Sequence, residues 1–316
     1  MQFNRGLKDE FINLLHAEGK KPGWWRDVLD DKTLLIGVRE DYLNVYWQGQ
    51  ALFTVRQVAN TLRVTTHEKY LLNPDLDGQV TLADGMFEVE SLRAKGFMPQ
   101  FEAGKTLPKM KGAAQRFAGS EKKGCHVIAE RNAIVIDFEV GLPIDTNGDG
   151  EGNRIDFACF EERDEAVRLT FWEAKHFANP ELRAKSGDAL VVHQVERYGN
   201  WITAHRAETE NSYRRVAKNL AEIKKMGWKR ILHPSVEAVA AGKPLSLGDV
   251  PPVSLVIFGF DQDQRDGKVW TGHRKKLETR IKRMVSIGNA KTFTFRRGQW
   301  TARWKVLCPR LTRYLI

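Results

Sequence analysis

Three side chains combine acid, base and an unusual setting: Asp156 in the run RIDFACF (154–160), and Glu173 and Lys175 in AVRLTFWEAKHF (166–177). Both runs read as β-strands, and together they predict a hairpin. Side chains alternate along a strand, so Asp156 is expected on the face opposite Ile155, Phe157 and Cys159, and Glu173 and Lys175 are expected to share a face. Charges inside apolar strands are costly unless they are paired, hydrated or bound to a metal. Two acids and a lysine converging at a hairpin end suit metal-assisted phosphodiester hydrolysis. The carboxylates hold Mg²⁺ or Mn²⁺, the metal acidifies a bound water, and the ammonium orients that water or the scissile phosphate. The alternative reading is a buried or edge-strand ion pair. The spacing acid-x-Lys is unspecific by itself, since Asp30/Lys32, Glu121/Lys123, Glu222/Lys224 and Asp266/Lys268 repeat it in polar turns or on helix surfaces.

A second element follows downstream. Gln194 and Tyr198, in HQVERY, are four apart on a predicted helix and therefore share one face. The ordered set Asp156, Glu173-x-Lys175 and Gln194-x-x-x-Tyr198 resembles the PD-(D/E)XK nuclease superfamily, most closely its RecB-like branch. That branch adds a Gln-x-x-x-Tyr motif on the helix after the catalytic strands. The resemblance spans about residues 109–260. It implies a restriction-endonuclease-like α/β fold, a mixed sheet flanked by helices, and Mg²⁺- or Mn²⁺-dependent DNA cleavage. By this resemblance Asp156 and Glu173 are metal ligands, Lys175 is the catalytic lysine, and Gln194 and Tyr198 shape the site or contact DNA. The chain departs from the pattern in having Ile155, not proline, before Asp156. Glu139, in IDFEVGLP, is the candidate for a third metal-ligating acid, with Glu130 and Glu121 as alternatives.

These residues need elements to hold them. Arg5–Glu18 is expected to be an amphipathic helix with Leu7, Phe11, Leu14 and Leu15 on one stripe, stopped by Pro22-Gly23. Four short alternating runs between Leu34 and Leu71 predict a small antiparallel sheet. Residues 73–85 read as a loop. A helix is expected over 109–122, then a hairpin pairing HVIAE with AIVIDFEVGLP across Arg131-Asn132. Residues 188–226 are expected to be helical with a break at Gly199-Asn200. An apolar strand VSLVIFGF, a basic helix HRKKLETRIKRMVSI (273–287) and a final hairpin complete the chain. The expected organisation is a β-rich N-terminal domain over 1–100 and a nuclease domain over 101–316.

The net charge of +10 is unevenly spread. Residues 264–316 hold 15 Lys/Arg against two acids, whereas the rest is slightly acidic. In that segment the cations are interleaved with Trp270, Phe293, Phe295, Trp300, Trp304 and Tyr314, a composition suited to a nucleic acid strand. Arg274, Lys275, Lys276, Arg280, Lys282 and Arg283 are the candidate phosphate contacts. Arg214, Arg215, Lys218, Lys224, Lys225 and Lys229 read as a solvated face. His176 and His193 are candidates to line the cleft, and Trp24-Trp25 reads as core packing. Asp145–Asp156 imitates a calcium loop, but its predicted flanks are strands where that motif needs helices.

With 42% hydrophobic and 28% charged residues, the composition is that of a globular chain and not a disordered one, and no run approaches the roughly 18 apolar residues a membrane-spanning helix requires. The N-terminus lacks the pattern of a signal peptide. Three scattered cysteines, Cys125, Cys159 and Cys308, fit a reducing cytoplasm and cannot build a four-cysteine zinc or iron–sulfur site. No Gly-rich phosphate loop appears. The expected partner is DNA, with protein partners of a phage-defence or repair complex. The competing readings are a non-catalytic nucleic-acid-binding module and a structural subunit of such a complex.

Overall fold

A computed structural model describes residues 3–73, 82–83, 86–87, 96–143, 153–163, 165–248, 252–288 and 290. Strands β1 (Leu35–Val38), β2 (Tyr42–Trp47), β3 (Gln50–Val58) and β4 (Thr61–Thr65) pair antiparallel in sequence order, the sheet that the alternating runs predict. The turns between them put Asp41, Gln48 and Ala59 at positive φ, the backbone that tight hairpins demand. Helices α1 (Asp9–Glu18) and α2 (Trp24–Asp30) bury Phe11, Ile12, Leu15, Trp25, Val28 and Leu29. The first helix begins at Asp9, not Arg5. Residues before it are held extended instead: Gly6 bridges Glu40, and the Leu7 N–H donates to Asn219 Oδ1. A short antiparallel pair, β5 (Leu82–Ala83) and β6 (Met86–Phe87), precedes the larger part of the chain.

That part contains a six-stranded mixed sheet. Strands β7 (Val135–Gly141), β8 (Arg154–Glu162) and β9 (Val167–His176) form an antiparallel meander. Beyond β9 lie β11 (Val253–Phe258) and β12 (Met284–Ile287), each parallel to its neighbour, and β10 (Leu245–Ser246) pairs with the start of β9. Helices α3 (Thr106–Gln115) and α4 (Ser120–Arg131) precede β7. Helices α5 (Leu190–Ala204), α6 (Arg206–Lys225) and α7 (Ser235–Ala240) supply the long crossover that a parallel β9–β11 pair requires. Helices α8 (Gln262–Asp266) and α9 (Lys268–Arg280) lead into β12. Layers of side chains cover both faces of the sheet, which is why β11 is buried at every position and reads as a continuous apolar run.

Four local expectations are corrected. HVIAE lies inside α4 and is not a strand. Cys125, Ile128 and Ala129 fall on its buried side at helical spacing, and a five-residue run was too short to show that period. The break in 188–226 falls at His205 (φ −108°, ψ 31°), not at Gly199-Asn200. Gly199 stays helical, while the His205 ring stacks on Trp201 at 4.1 Å. The basic helix stops at Arg280, and MVSI becomes β12, where Val285 and Ile287 find a sheet edge that suits branched side chains. The alternation around Asp156 also fails: Ile155 packs with Ala158 and Phe160, while Phe157 and Cys159 pack together on the other side. The calcium-like loop (145–152), most of the segment 73–85, and the C-terminal hairpin with Phe293, Phe295, Trp300, Trp304, Cys308 and Tyr314 lie outside the described residues.

Packing crosses residue 100 freely. One apolar cluster runs from Phe3 and the first sheet to Val216, Leu255 and Met284. A buried charge network joins the same parts. Asp137 on β7 is fully buried and meets Arg39 at 2.6 Å and Arg5 at 2.9 Å, while the Tyr213 hydroxyl on α6 donates to it at 3.0 Å. Such a set is tolerable only because every charge in it is partnered.

Candidate active site

Strands β8 and β9 bring the sequence-predicted acids together. Phe157 pairs with Trp172 at the end of the β8–β9 register, and the next residue, Asp156, reaches the backbone of β9 at Ala174, beside Glu173. The Asp156 Oδ2 accepts the Ala174 N–H at 2.7 Å, fixing the carboxylate against the neighbouring strand. Glu173 is 3% exposed and Lys175 is 6% exposed, and they share the face of β9 expected from strand alternation. The Lys175 Nζ lies 3.0 Å from Glu173 Oε1 and 2.6 Å from Glu181 Oε2. On the opposite flank β11 runs parallel, with Leu255 beside Glu173 and Ile257 beside Lys175.

Helix α5 supplies the second motif. The Gln194 Nε2 donates to the Tyr198 hydroxyl at 3.0 Å, as their four-residue spacing predicts. Tyr198 is buried, and the Gln194 Oε1 is buried with no hydrogen-bond partner. Burial raises the Tyr198 pKa, the Gln194 contact opposes that rise, and the charge on Glu173 adds to it. The tyrosine therefore sits within electrostatic reach of Glu173.

Two further acids belong to the same neighbourhood. Glu121, in the first turn of α4, accepts the His176 N–H at 2.8 Å and the Asn179 side-chain amide at 2.9 Å. Gly124, one turn along, lets α4 come this close, because a β-carbon there would overlap the Phe258 ring. Glu139 on β7 adopts φ 54°, an uncommon backbone for a non-glycine in mid-strand, and pairs with Arg154 at 3.5 Å. Glu130, the other alternative acid, acts instead on the buried Arg230. Sequence reasoning did not single out Glu181. It lies in a 3-10 turn, Pro180–Leu182, just beyond β9, in a polar stretch with no periodicity to mark it.

The electrostatics are those of acids crowded in a poorly hydrated place. Burial raises the Asp156 pKa well above the ordinary carboxylate value, and the neighbouring Glu173 raises it further, with Glu139 adding to the rise. Burial likewise pushes Glu173 up to about 7. Lys175 opposes this shift, while Glu121 and Glu181 reinforce it. For Lys175 burial acts downward, but Glu173 and Glu181 outweigh it and keep the ammonium charged. Cys125, buried on α4, is pushed up by burial and then by Asp156, Glu121, Glu173 and Glu139, the four acids of this neighbourhood.

No family model, curated protein or solved structure matches this chain.

Among the described residues no group of three or more His, Cys, Asp and Glu side chains is assembled around a cation position. The donor set nevertheless fits a hard cation. Glu173 Oε2 is buried without a hydrogen-bond partner, Asp156 stands beside it, and both are oxygen donors. Magnesium is commonly held by one or two carboxylates, with water and substrate oxygens completing its shell. The fit therefore rests on Asp156 and Glu173, with Glu121 and Glu139 at its margin.

The basic residues divide in two. Lys275, Lys276 and Lys282 are exposed. Arg274 pairs with Glu278 at 3.3 Å, and Arg280 bridges Asp188 at 3.1 Å and Glu196 at 2.9 Å. Arg283 points inward, donating to Glu161 at 2.8 Å beneath the Trp172 ring, so its charge is neutralised inside the protein. Helix α9 is nonetheless docked near the carboxylates. Trp270 packs edge-on against Phe177 at 5.0 Å, two residues after Lys175. His176 meets the Phe258 ring, and His193 is exposed on α5.

Proposed function

We propose that this chain is a divalent-metal-dependent nuclease that hydrolyses DNA phosphodiester bonds, more in the manner of an endonuclease than an exonuclease. The single observation that carries the reading is the convergence of Asp156, Glu173 and Lys175 on adjacent strands, with the Gln194–Tyr198 pair on the helix that follows. An αβ layout with a mixed sheet, the acids on a meander and the Gln-x-x-x-Tyr motif on the next helix supports a restriction-endonuclease-like architecture of the RecB-like kind. Asp156 and Glu173 would hold Mg²⁺ or Mn²⁺, which supplies charge neutralisation at the phosphate and a more acidic bound water. Lys175 stays protonated and would contact a phosphate oxygen. Asp156 is held in place by the Ala174 N–H. Gln194, with an unused acceptor, and Tyr198 close the side of the site toward α5. Hydrolysis adds water across one P–O bond and leaves a phosphate monoester and a hydroxyl end.

The test is incubation of circular and linear DNA with Mg²⁺, Mn²⁺ or EDTA. Cutting is expected with either metal and not with EDTA, and opening of the circle identifies internal cleavage. Glu173→Ala and Lys175→Ala are each expected to abolish cutting while leaving DNA binding largely intact. Variants that cut as fast as the parent would remove these residues from the reaction.

A further inference from the structure

Lys175 holds two carboxylates, and they differ in kind. Glu173 stands in the middle of the sheet, its side chain 4% exposed, and cannot leave without unpacking the strand. Glu181 stands outside the sheet on a single 3-10 turn, its side chain 38% exposed, yet it comes closer to the ammonium, at 2.6 Å. The turn's backbone is firmly set. Asn179 Oδ1 accepts the Glu181 N–H at 2.9 Å, and the other end of that amide donates to Glu121. Arg183 donates to the Phe177 carbonyl at 2.7 Å and lies over the Phe177 and Trp270 rings. Movement at this place therefore belongs to the Glu181 side chain, which has solvent to turn into.

From this we infer that Glu181 is a positioning residue that occupies, on Lys175, the place a substrate phosphate takes, so that an anionic substrate has to displace it. The inference rests on the nuclease reading. It gives Glu181 two effects. Its carboxylate keeps the lysine extended along the sheet when no substrate is present, and it competes with any anion too weakly held to expel it. A DNA strand held at several phosphates can displace it, whereas a single free phosphate group lacks the additional contacts.

The experiment measures steady-state cleavage of a duplex oligonucleotide in Mg²⁺ by the parent, Glu181→Gln and Glu181→Asp. Glu181→Gln keeps the shape and removes the charge. Its KM is expected to fall roughly tenfold with kcat within about twofold, the size of effect one competing charge exerts at a partly screened site. Glu181→Asp, which keeps the charge, should hold KM within about threefold of the parent. A Glu181→Gln enzyme whose KM is unchanged or raised overturns the inference, as does loss of Mn²⁺ binding in that variant, which would make Glu181 a metal ligand. A parent that cuts nothing overturns the nuclease reading and this inference with it.

Discussion

Glu173 is the residue whose chemistry is most exposed to test. Its ordinary pKa of 4.5 is raised to about 7, first by burial and then by Glu121 and Glu181 against the pull of Lys175. A carboxyl raised in the folded state stabilises the fold below its unfolded pKa, and that contribution is lost as pH climbs through the folded value. In metal-free buffer the Tm of the parent relative to Glu173→Gln is therefore expected to fall between pH 5 and pH 8. A difference that stays flat across that window would mean that Glu173 is not so perturbed. Divalent metal requires the ionised form, so Mn²⁺ affinity should rise through about pH 7 in the same protein. At this scale the sequence was informative where chemistry is local. Glu173 with Lys175, and Gln194 with Tyr198, were legible because strand and helix periods put each pair on one face, whereas Asp156 reaches β9 through strand pairing and against the expected alternation. Glu181 and the role of Glu121 were not, because each depends on how the chain leaves β9 and on how α4 docks against it.

Among the elements, the long periodic ones were readable and the short apolar ones were not. The β8–β9 hairpin, β11 and the first sheet announced themselves by alternation or continuous apolarity. HVIAE and MVSI are too short to carry a period, and each was assigned to the wrong element. α9 shows the limit of counting charge. Of the candidate contacts on α9 and just beyond it, Arg274 and Arg280 pair with acids and Arg283 is engaged with Glu161, leaving Lys275, Lys276 and Lys282 as the open cations. Replacing these three lysines with glutamine is expected to weaken DNA binding and to flatten its salt dependence, by about 0.9 in the log–log slope for each lysine that meets a phosphate. Titrating labelled DNA between low and moderate salt checks this, and an unchanged slope would take α9 off the substrate path. Arg283→Ala should act differently, lowering Tm because the buried Glu161 loses one of its two cationic partners.

On the scale of the whole molecule, the charge network at Asp137 was invisible in sequence. Arg5, Arg39, Asp137 and Tyr213 come from four distant stretches, and no spacing rule connects them. They join the first sheet, the second sheet and α6. Removing one partner of a buried ion pair typically costs about 3–5 kcal/mol. Arg39→Met is expected to lose stability on that scale in urea unfolding, and a loss under about 1 kcal/mol would show that the network does not hold these layers together. The +10 net charge, by contrast, located a segment without revealing which of its cations are available.

The anchoring of the N-terminal stretch also sets an order of assembly. Leu7 exchanges hydrogen bonds with Asn219 across 212 residues, and the Phe3 N–H donates to the Glu208 carboxylate across 205. During synthesis Arg5 therefore emerges long before the helix that receives it exists. The first sheet can pair its own strands early, since its hairpins are local. It cannot fill its buried charge sites until β7 has brought Asp137 out of the ribosome. Until then Arg5 and Arg39 stay hydrated, and the segment 3–7 gains its partners Glu208 and Asn219 only when α6 follows.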